Sequence, residues 1–323
     1  MLEQVPNFDD ESLASLLKDL YGLEGEIAPL VSFEDQNARI KTDTTTYVLK
    51  IANTRWSHEF IEMQTDVLTH LKTQAPSLAF PSIVPTLKGE HITYVDGFAI
   101  RLLTYLEGDL LANISRTPAL YRDIGRFVGQ LSQAMQTYSV TVVEGSDEMW
   151  MLDNVLTCKK YLADVIDRDA ADRIERLYAV YEKTIFPKLA NLRKAIIHGD
   201  ANEQNLLIDP EQPEKVAGLI DFGEMQMASQ INDLAISMAY SLLGEPNVEM
   251  ASSNMIEGYD REFKITDNER EIIYYLVAMR LVTSIIMTSH SAKLFPENKY
   301  ILISQKSARA LLKKLEDEKY ILA

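Results

Sequence analysis

Asp200, Asn205 and Asp221 are the residues of this sequence whose types and spacing could do chemistry. They lie in Ile196-Ile197-His198-Gly199-Asp200-Ala201-Asn202-Glu203-Gln204-Asn205 and, beyond an Asp209-Pro210 turn, in Ile220-Asp221-Phe222-Gly223. An aspartate followed five residues later by an asparagine, with Asp-Phe-Gly further on, is a spacing at which the first carboxylate receives the proton of an attacking hydroxyl. The asparagine and the second aspartate then hold a metal. Two short apolar runs, Asn205 to Ile208 and Val216 to Ile220, read as the strands of a hairpin between turn formers such as Pro210 and Pro213. The three oxygen-bearing side chains therefore gather at one end of it, a place for magnesium and a phosphoryl group. In the purely structural alternative Asp200 and Asn205 cap a turn and Asp221 ends a strand; both halves of the signature in the right order favour the chemistry.

The rest of the chain must position these groups. Its 323 residues are long for one core and predict two lobes, and 46% apolar residues give no reason to expect disorder. A net charge of −16 disfavours nucleic acid and anionic membranes as partners. The single cysteine, Cys158, excludes an internal disulfide framework, no Cys/His cluster has zinc spacing, and a reducing cytoplasm is the expected compartment. The acidic start, with Glu3, Asp9, Asp10 and Glu11, is unlike a signal peptide, and no membrane anchor is expected.

Leucines 13, 16, 17 and 20 predict an amphipathic helix over Ser12 to Leu20 that Gly22 stops and that packs on the first lobe. Strands over Ile27 to Phe33, Ala38 to Lys41 and Thr46 to Ile51 follow, with the turn Glu34-Asp35-Gln36-Asn37 after the first. A kinase places a glycine-rich loop over the phosphates there, and this turn has no glycine. Lys50, flanked by apolar neighbours, is the candidate for the α and β phosphates, against an edge-strand lysine with its head in water. On the next helix, Ser57 to Leu71, Gln64 falls within the apolar stripe while Glu62 points nearly opposite, so Gln64 is the inward polar group and the candidate to orient Lys50. A two-residue Asp96-Gly97 turn joins His91 to Val95 and Phe98 to Leu106. The segment from Thr104 through Leu106 can then offer backbone groups to a purine base.

Beyond it the pattern is helical: Tyr121 to Met135, Met149 to Leu162 with Trp150 and Asn154 close to Glu148, and Ala171 to Leu192 interrupted near Pro187. Trp150 is a core residue or a ligand platform. Glu224 to Asn232 shows no strand pattern, and Asp233 is read as an N-cap. Thr266 to Glu269 is a capping box opening a helix through Ile286, and the last helix spans Ile301 to Leu315. The first lobe is assigned to residues 1–104 and the second to 105–323.

His198-Gly199-Asp200 with Asn205 and Asp221-Phe222-Gly223 resembles the aminoglycoside phosphotransferase and choline kinase superfamily, whose loop reads His-Gly-Asp where protein kinases have His-Arg-Asp. Within it the likeness is greatest to the hydroxylysine kinases. It rests on Glu34-Asp35-Gln36-Asn37, Tyr47-Val48-Leu49-Lys50-Ile51, Ile61-Glu62-Met63-Gln64, Arg101 to Leu106 and Phe295 to Lys299. The resemblance covers most of residues 27 to 315 and shares the glycine-free turn and the glutamine in the helix. It implies an α+β, protein-kinase-like bilobal fold, with an N-terminal antiparallel sheet lobe and a mainly helical C-terminal lobe. It also implies phosphorylation of a hydroxyl on a small amino compound, with Mg2+ and ATP or GTP. Asp200 would be the base, Asn205 and Asp221 the metal ligands, and Lys50, Gln64, Thr104 and Leu106 the nucleotide site. Glu203, Glu224 and Trp150 would face an amine-bearing acceptor, with hydroxylysine favoured over homoserine, choline or an aminoglycoside. For the two glutamates, magnesium, solvent, or an ion pair with Arg280 or Lys159 are the alternatives. A catalytically silent protein on the same fold and a protein kinase are the competing readings; no segment ending in Ala-Pro-Glu follows Gly223.

Overall fold

The computed structural model describes residues 5–32, 35–139, 149–297, 302 and 304–322. Phe33 and Glu34 of the glycine-free turn, Glu148, Asn298, Lys299 and Ile301 lie outside the described residues. The chain divides into two compact units, the first reaching Gly108 and including Gly218–Ile220 and the second built from Asp109–Ser139, residues 149–217 and the chain from Asp221 onward.

Unit 1 is an antiparallel sheet with two helices. Helix α1 (Asp10–Tyr21) is capped by Asp9, whose carboxylate accepts the Ser12 N–H, and ends at Gly22 in the left-handed conformation. Strands β1 (Glu26–Leu30), β2 (Gln36–Lys41) and β3 (Thr46–Ile51) form a meander. Helix α2 (His58–Gln74) follows, capped by Ser57, then β4 (Ile83–Val84), β5 (Thr93–Val95) and β6 (Phe98–Thr104), which pairs with β3, β4 and β5. Asp96 and Gly97 both take positive φ, 52° and 87°, as a tight two-residue turn between β5 and β6 demands. Leu13, Leu17 and Tyr21 of α1 pack on Ala38, Ile40, Leu49, Ile51, Ile100 and Leu102, so alternate residues of β2, β3 and β6 make one core under α1. β3 lies between β2 and β6 rather than at an edge.

Unit 2 is mainly helical. β7 (Asp109–Leu110) precedes α3 (Pro118–Met135), whose first turn combines a Thr117 cap with Pro118. Where a regular helix is expected over Met149 to Leu162, the chain forms 3₁₀ turns over Leu152–Asp164 with a non-helical Asn154. Helix α4 (Arg168–Val180) continues as a π turn over Tyr181–Ile185 and a 3₁₀ turn over Phe186–Asn191, the interruption expected near Pro187. β8 (Lys194–Ile197) leads to the hairpin of β9 (Leu206–Ile208) and β10 (Val216–Leu219).

One expectation fails here: Gln226–Ser229 is a strand, β11, paired antiparallel with β8. The polar sequence hides it because Gln226, Ala228 and Ser229 are buried and the partner strand supplies the order that propensity does not. Helices α5 (Ile231–Ser241), α6 (Val248–Glu262), α7 (Asp267–Leu294) and α8 (Gln305–Asp317) complete the unit. The Thr266–Glu269 capping box opens α7 as read, and the helix runs on past Ile286 to Leu294. By length and composition α7 is long and apolar enough to cross a membrane. However, 78% of its most apolar window is buried within the protein, so it is the core helix around which unit 2 packs.

Candidate active site

The carboxylates expected to act together meet in unit 2. β8 delivers the chain to His198, and the loop turns at Gly199, where φ is +81° and a Cβ would lie 2.2 Å from the Glu224 carbonyl oxygen. Asp233 ties this loop down: its Oδ2 accepts the His198 N–H at 3.0 Å and its Oδ1 the Gly199 N–H at 2.9 Å. The N-cap reading of Asp233 is therefore corrected. Helix α5 starts earlier, at Ile231 with Gln230 in the cap position, and the buried carboxylate in its first turn caps a distant loop instead of its own helix. Burial pushes the Asp233 carboxyl up to about 6, against the two N–H bonds that favour its ionised form. The His198 ring accepts the Asp200 N–H on Nδ1 at 3.2 Å and lies edge-on to Phe222. That bond assigns the ring proton to Nε2.

Asp200 is held on both oxygens. Oδ1 accepts from Arg280 Nη2 at 2.7 Å, and Oδ2 accepts from the side-chain amides of Asn202 at 2.8 Å and Asn205 at 3.0 Å. The Asn205 amide also donates to the Asp200 main-chain oxygen at 2.9 Å, so Asn205 turns its Nδ2 toward the loop and has Oδ1 to offer a cation. Burial raises the Asp200 carboxyl, Arg280 pulls it down and the charge of Asp221 pushes it up again, leaving it at about 6. Asp221 takes a left-handed backbone, φ 60° and ψ 82°, uncommon for an aspartate. Phe222–Glu224 then makes a single 3₁₀ turn.

Arg280, from the middle of α7, organises this region. Only 3% exposed, it donates through Nε to the Tyr240 hydroxyl at 3.2 Å and through Nη1 to the Trp150 carbonyl at 3.0 Å, besides holding Asp200. Its guanidinium lies 5.1 Å from the Trp150 ring centroid and 5.4 Å from that of Tyr240. Half-buried Trp150 thus contacts Arg280 through both its carbonyl and its ring. Of the cations weighed as partners for Glu203 or Glu224, Arg280 pairs with Asp200 and Lys159 with Glu182. The charge of Glu224 still acts on Arg280, and its main-chain oxygen accepts from Gln226 Nε2 at 3.2 Å. Glu203 is half-buried; burial raises its carboxyl, while Arg116 and Arg280 draw it down. Its Oε2 is sealed from solvent with no hydrogen-bond partner.

Among the described residues no cluster of three or more His, Cys, Asp or Glu side chains could hold a metal by itself. Asp221 with the Asn205 oxygen is a donor set suited to an ion that completes its shell with phosphate oxygens and water. The mutual repulsion of Asp200 and Asp221 is what such an ion would relieve.

Unit 1 carries the other expected residues. Lys50 on β3 is half-buried and stands in register between Asn37 on β2 and Arg101 on β6, so the three side chains share one face of the sheet. Arg101, 2% exposed, is a second cation there that the sequence reading did not weigh. Gln64 is buried and Glu62 exposed, as the helical phase requires. Asp35, in the glycine-free turn, braces the loop after β3 by accepting the Asn53 N–H at 2.9 Å and the Trp56 indole N–H at 3.2 Å. Thr104 accepts the Ser82 N–H on Oγ1 and donates its own N–H to the Ser82 carbonyl, both at 2.9 Å. Leu106 is half-buried.

Sequence reasoning weighed Arg280 only as a partner for the glutamates and Asp233 only as a cap. A signal for Arg280 was present: one charge in the otherwise uncharged, mainly apolar run from Leu276 to Met287, where an arginine is buried only if its donors are used.

The chain is 30% identical to hydroxylysine kinase of Xenopus laevis, over 97% of this chain and 91% of that protein. It is 29% identical to hydroxylysine kinase of Mus musculus, over 97% and 90%. Its fold is that of amicoumacin kinase, solved with AMP-PNP, Ca2+ and Ami, at a TM-score of 0.70 and 18% identity over 96% of this chain and 94% of that one. It is also that of a microcompartment-associated aminopropanol kinase, at 0.67 and 16% over 96% and 98%. The phosphotransferase enzyme family (APH) matches residues 26–270. The chain therefore belongs to that family, as a kinase-like phosphotransferase acting on hydroxyl groups of small molecules.

Proposed function

We propose that this protein transfers the γ-phosphoryl group of ATP or GTP to the hydroxyl of a small amine-bearing acceptor, with a hydroxylysine-like molecule favoured. The observation that carries the reading is the treatment of Asp200. It is a half-buried carboxylate held on both oxygens by Arg280, Asn202 and Asn205 and raised toward neutrality by its surroundings. A base oriented in this way accepts the proton of the acceptor hydroxyl as the phosphoryl group is transferred. Residues 1–104 form the nucleotide lobe, in which Lys50, with Arg101 beside it, takes the phosphates and Gln64 orients Lys50. Because the Thr104 N–H is already bonded to Ser82, a donor to a purine base comes from Leu106 rather than from Thr104. Residues 105–323 form the catalytic and acceptor lobe, in which Asn205 and Asp221 would hold Mg2+. When bound, that ion neutralises charge on the transferring phosphoryl oxygens. Glu203 and Glu224 supply negative charge for an acceptor ammonium, and Trp150 shapes the site through Arg280.

Two measurements test the proposal. Thermal shift with ATP or GTP should show stabilisation that depends on added Mg2+, which a silent protein on this fold would lack. Nucleoside diphosphate release over hydroxylysine, homoserine, choline, amino alcohols and aminoglycosides, with each nucleotide, should show turnover with hydroxylysine. Turnover with none of them would reject the acceptor class.

A further inference from the structure

Half-buried Asp153 accepts hydrogen bonds from three separate elements of unit 2. Its Oδ2 takes the Ser229 N–H at 3.1 Å and the Lys194 ammonium, and its Oδ1 takes the Ser229 hydroxyl at 3.0 Å and the Asn232 side-chain amide at 2.9 Å. Lys194 Nζ also donates to the Ser229 hydroxyl oxygen at 2.8 Å, so the donors are themselves joined. The same three elements support the proposed base. β8, which Lys194 opens, runs into the His198-Gly199-Asp200 loop; β11, which Ser229 closes, follows the Asp221 turn; and α5, with Asn232 in its first turn, carries Asp233. A carboxylate filled by charged and neutral donors from several elements fixes its own segment against all of them.

That segment is the one that reaches Arg280. Asp153 lies three residues after Trp150 and directly before the non-helical Asn154, where no regular helix holds the chain. Trp150 meets Arg280 through its carbonyl, at 3.0 Å from Nη1, and through its ring. An arginine has a long stem but a rigid planar fork, so the acceptor on one nitrogen sets where the others point. With Nη1 on Trp150 and Nε on Tyr240, Nη2 is aimed at Asp200 Oδ1. Resting on the reading of Asp200 as the base, we infer that Asp153 is a positioning residue of the phosphoryl transfer: it ties the Trp150 segment to β8, β11 and α5, and Trp150 in turn keeps the Arg280 guanidinium on Asp200. Released from Asp153, the segment lets the Trp150 carbonyl drift, the fork turns about its remaining bond to Tyr240, and Asp200 loses its orientation.

The test uses the full-length protein with whichever acceptor of the panel above it turns over fastest. Asp153→Asn keeps the size of the side chain but sets an amide N–H against the Lys194 and Ser229 donors. It should lower kcat roughly 10-fold or more, as a misplaced reacting group does, while KM for nucleotide and acceptor stays within about twofold. Ser229→Ala, which removes one donor and leaves the carboxylate bonded to Lys194 and Asn232, should give a smaller loss of the same kind; it carries the comparison if Asp153→Asn folds poorly. In an Arg280→Met background Asp153→Asn should cost less than about twofold more, because the link it maintains is already broken. In Trp56→Phe, where Trp150 is the only tryptophan, adding Asp153→Asn should shift the Trp150 fluorescence emission. Unchanged kcat in both single variants, or a second loss of the same size on top of Arg280→Met, overturns the inference and leaves the kinase reading intact. Unchanged Trp150 emission overturns it as well. A parent that turns over no acceptor overturns the acceptor reading and the catalytic part of this inference, and the emission shift alone then decides whether Asp153 holds Trp150.

Discussion

The two units hold their polar side chains by different means. In unit 1 strand register sets the face on which Lys50 and Arg101 stand: β3 lies between β2 and β6, and the ladder brings the two into register. In unit 2 Asp200 lies on a short loop, and its orientation comes from side chains of other elements, Asp233 of α5 on the loop backbone and Arg280 of α7 on Oδ1, together with Asn202 and Asn205 of its own loop on Oδ2. A ladder distributes its tolerance over many backbone bonds, whereas a side-chain network fails when one member goes. Unit 2 should therefore be the more sensitive to single changes.

The largest effect is expected at the centre of that network. Asp200→Asn should lower kcat by roughly 100-fold or more while nucleotide affinity persists, the scale of losing a general base; steady-state kinetics with a nucleotide titration checks it. Near-normal turnover would remove Asp200 from that role. Arg280→Met should follow, because it leaves Asp200 without its cation and frees the Tyr240 hydroxyl and the Trp150 carbonyl. A loss of roughly 3 kcal/mol in urea unfolding is expected, as for breaking a buried pair, with kcat falling more than KM rises. If stability and kcat are both unchanged, Asp200 is oriented by its own loop.

Gly199→Ala puts a Cβ on a backbone oxygen and strains a left-handed residue, and should cost at least about 2 kcal/mol with a parallel fall in kcat. A smaller effect concerns pH. The Asp233 carboxyl sits at about 6 in the folded protein against an ordinary 3.8, so the folded state holds this proton more tightly than the unfolded one. The stability it contributes is full below 3.8 and is lost as pH rises through about 6. Asp233→Asn does not titrate. The difference in Tm should therefore move in the variant's favour between pH 3.8 and 6 and be flat above, and an invariant difference would contradict the buried carboxyl. The smallest effect is expected in unit 1, where Gly97→Ala meets no atom within 4 Å despite its positive φ. It should cost only about 1 kcal/mol and leave kcat alone. A kcat effect as large as that of Gly199→Ala would dissolve the contrast between the units.

What the sequence by itself determined is everything governed by local rules. The β3 boundaries, the Asp96-Gly97 turn, the inward phase of Gln64, the Thr266–Glu269 capping box and the Asp200–Asn205 spacing follow from periods, turn chemistry and caps that act over a few residues. The tertiary structure alone decided the support of the site. His198 and Asp233 are 35 residues apart, and Asp200 and Arg280 are 80 apart. No local pattern encodes which buried charge will face which: an aspartate near a helix start reads equally as its cap, and a lone arginine in an apolar helix names no partner. Likewise Gln226 to Ser229 has no strand signal of its own and becomes β11 only because β8 lies beside it. Backbone conformation is set by neighbours in sequence, and the orientation of buried charges by neighbours in space, whose identity is fixed only once α5 and α7 have packed.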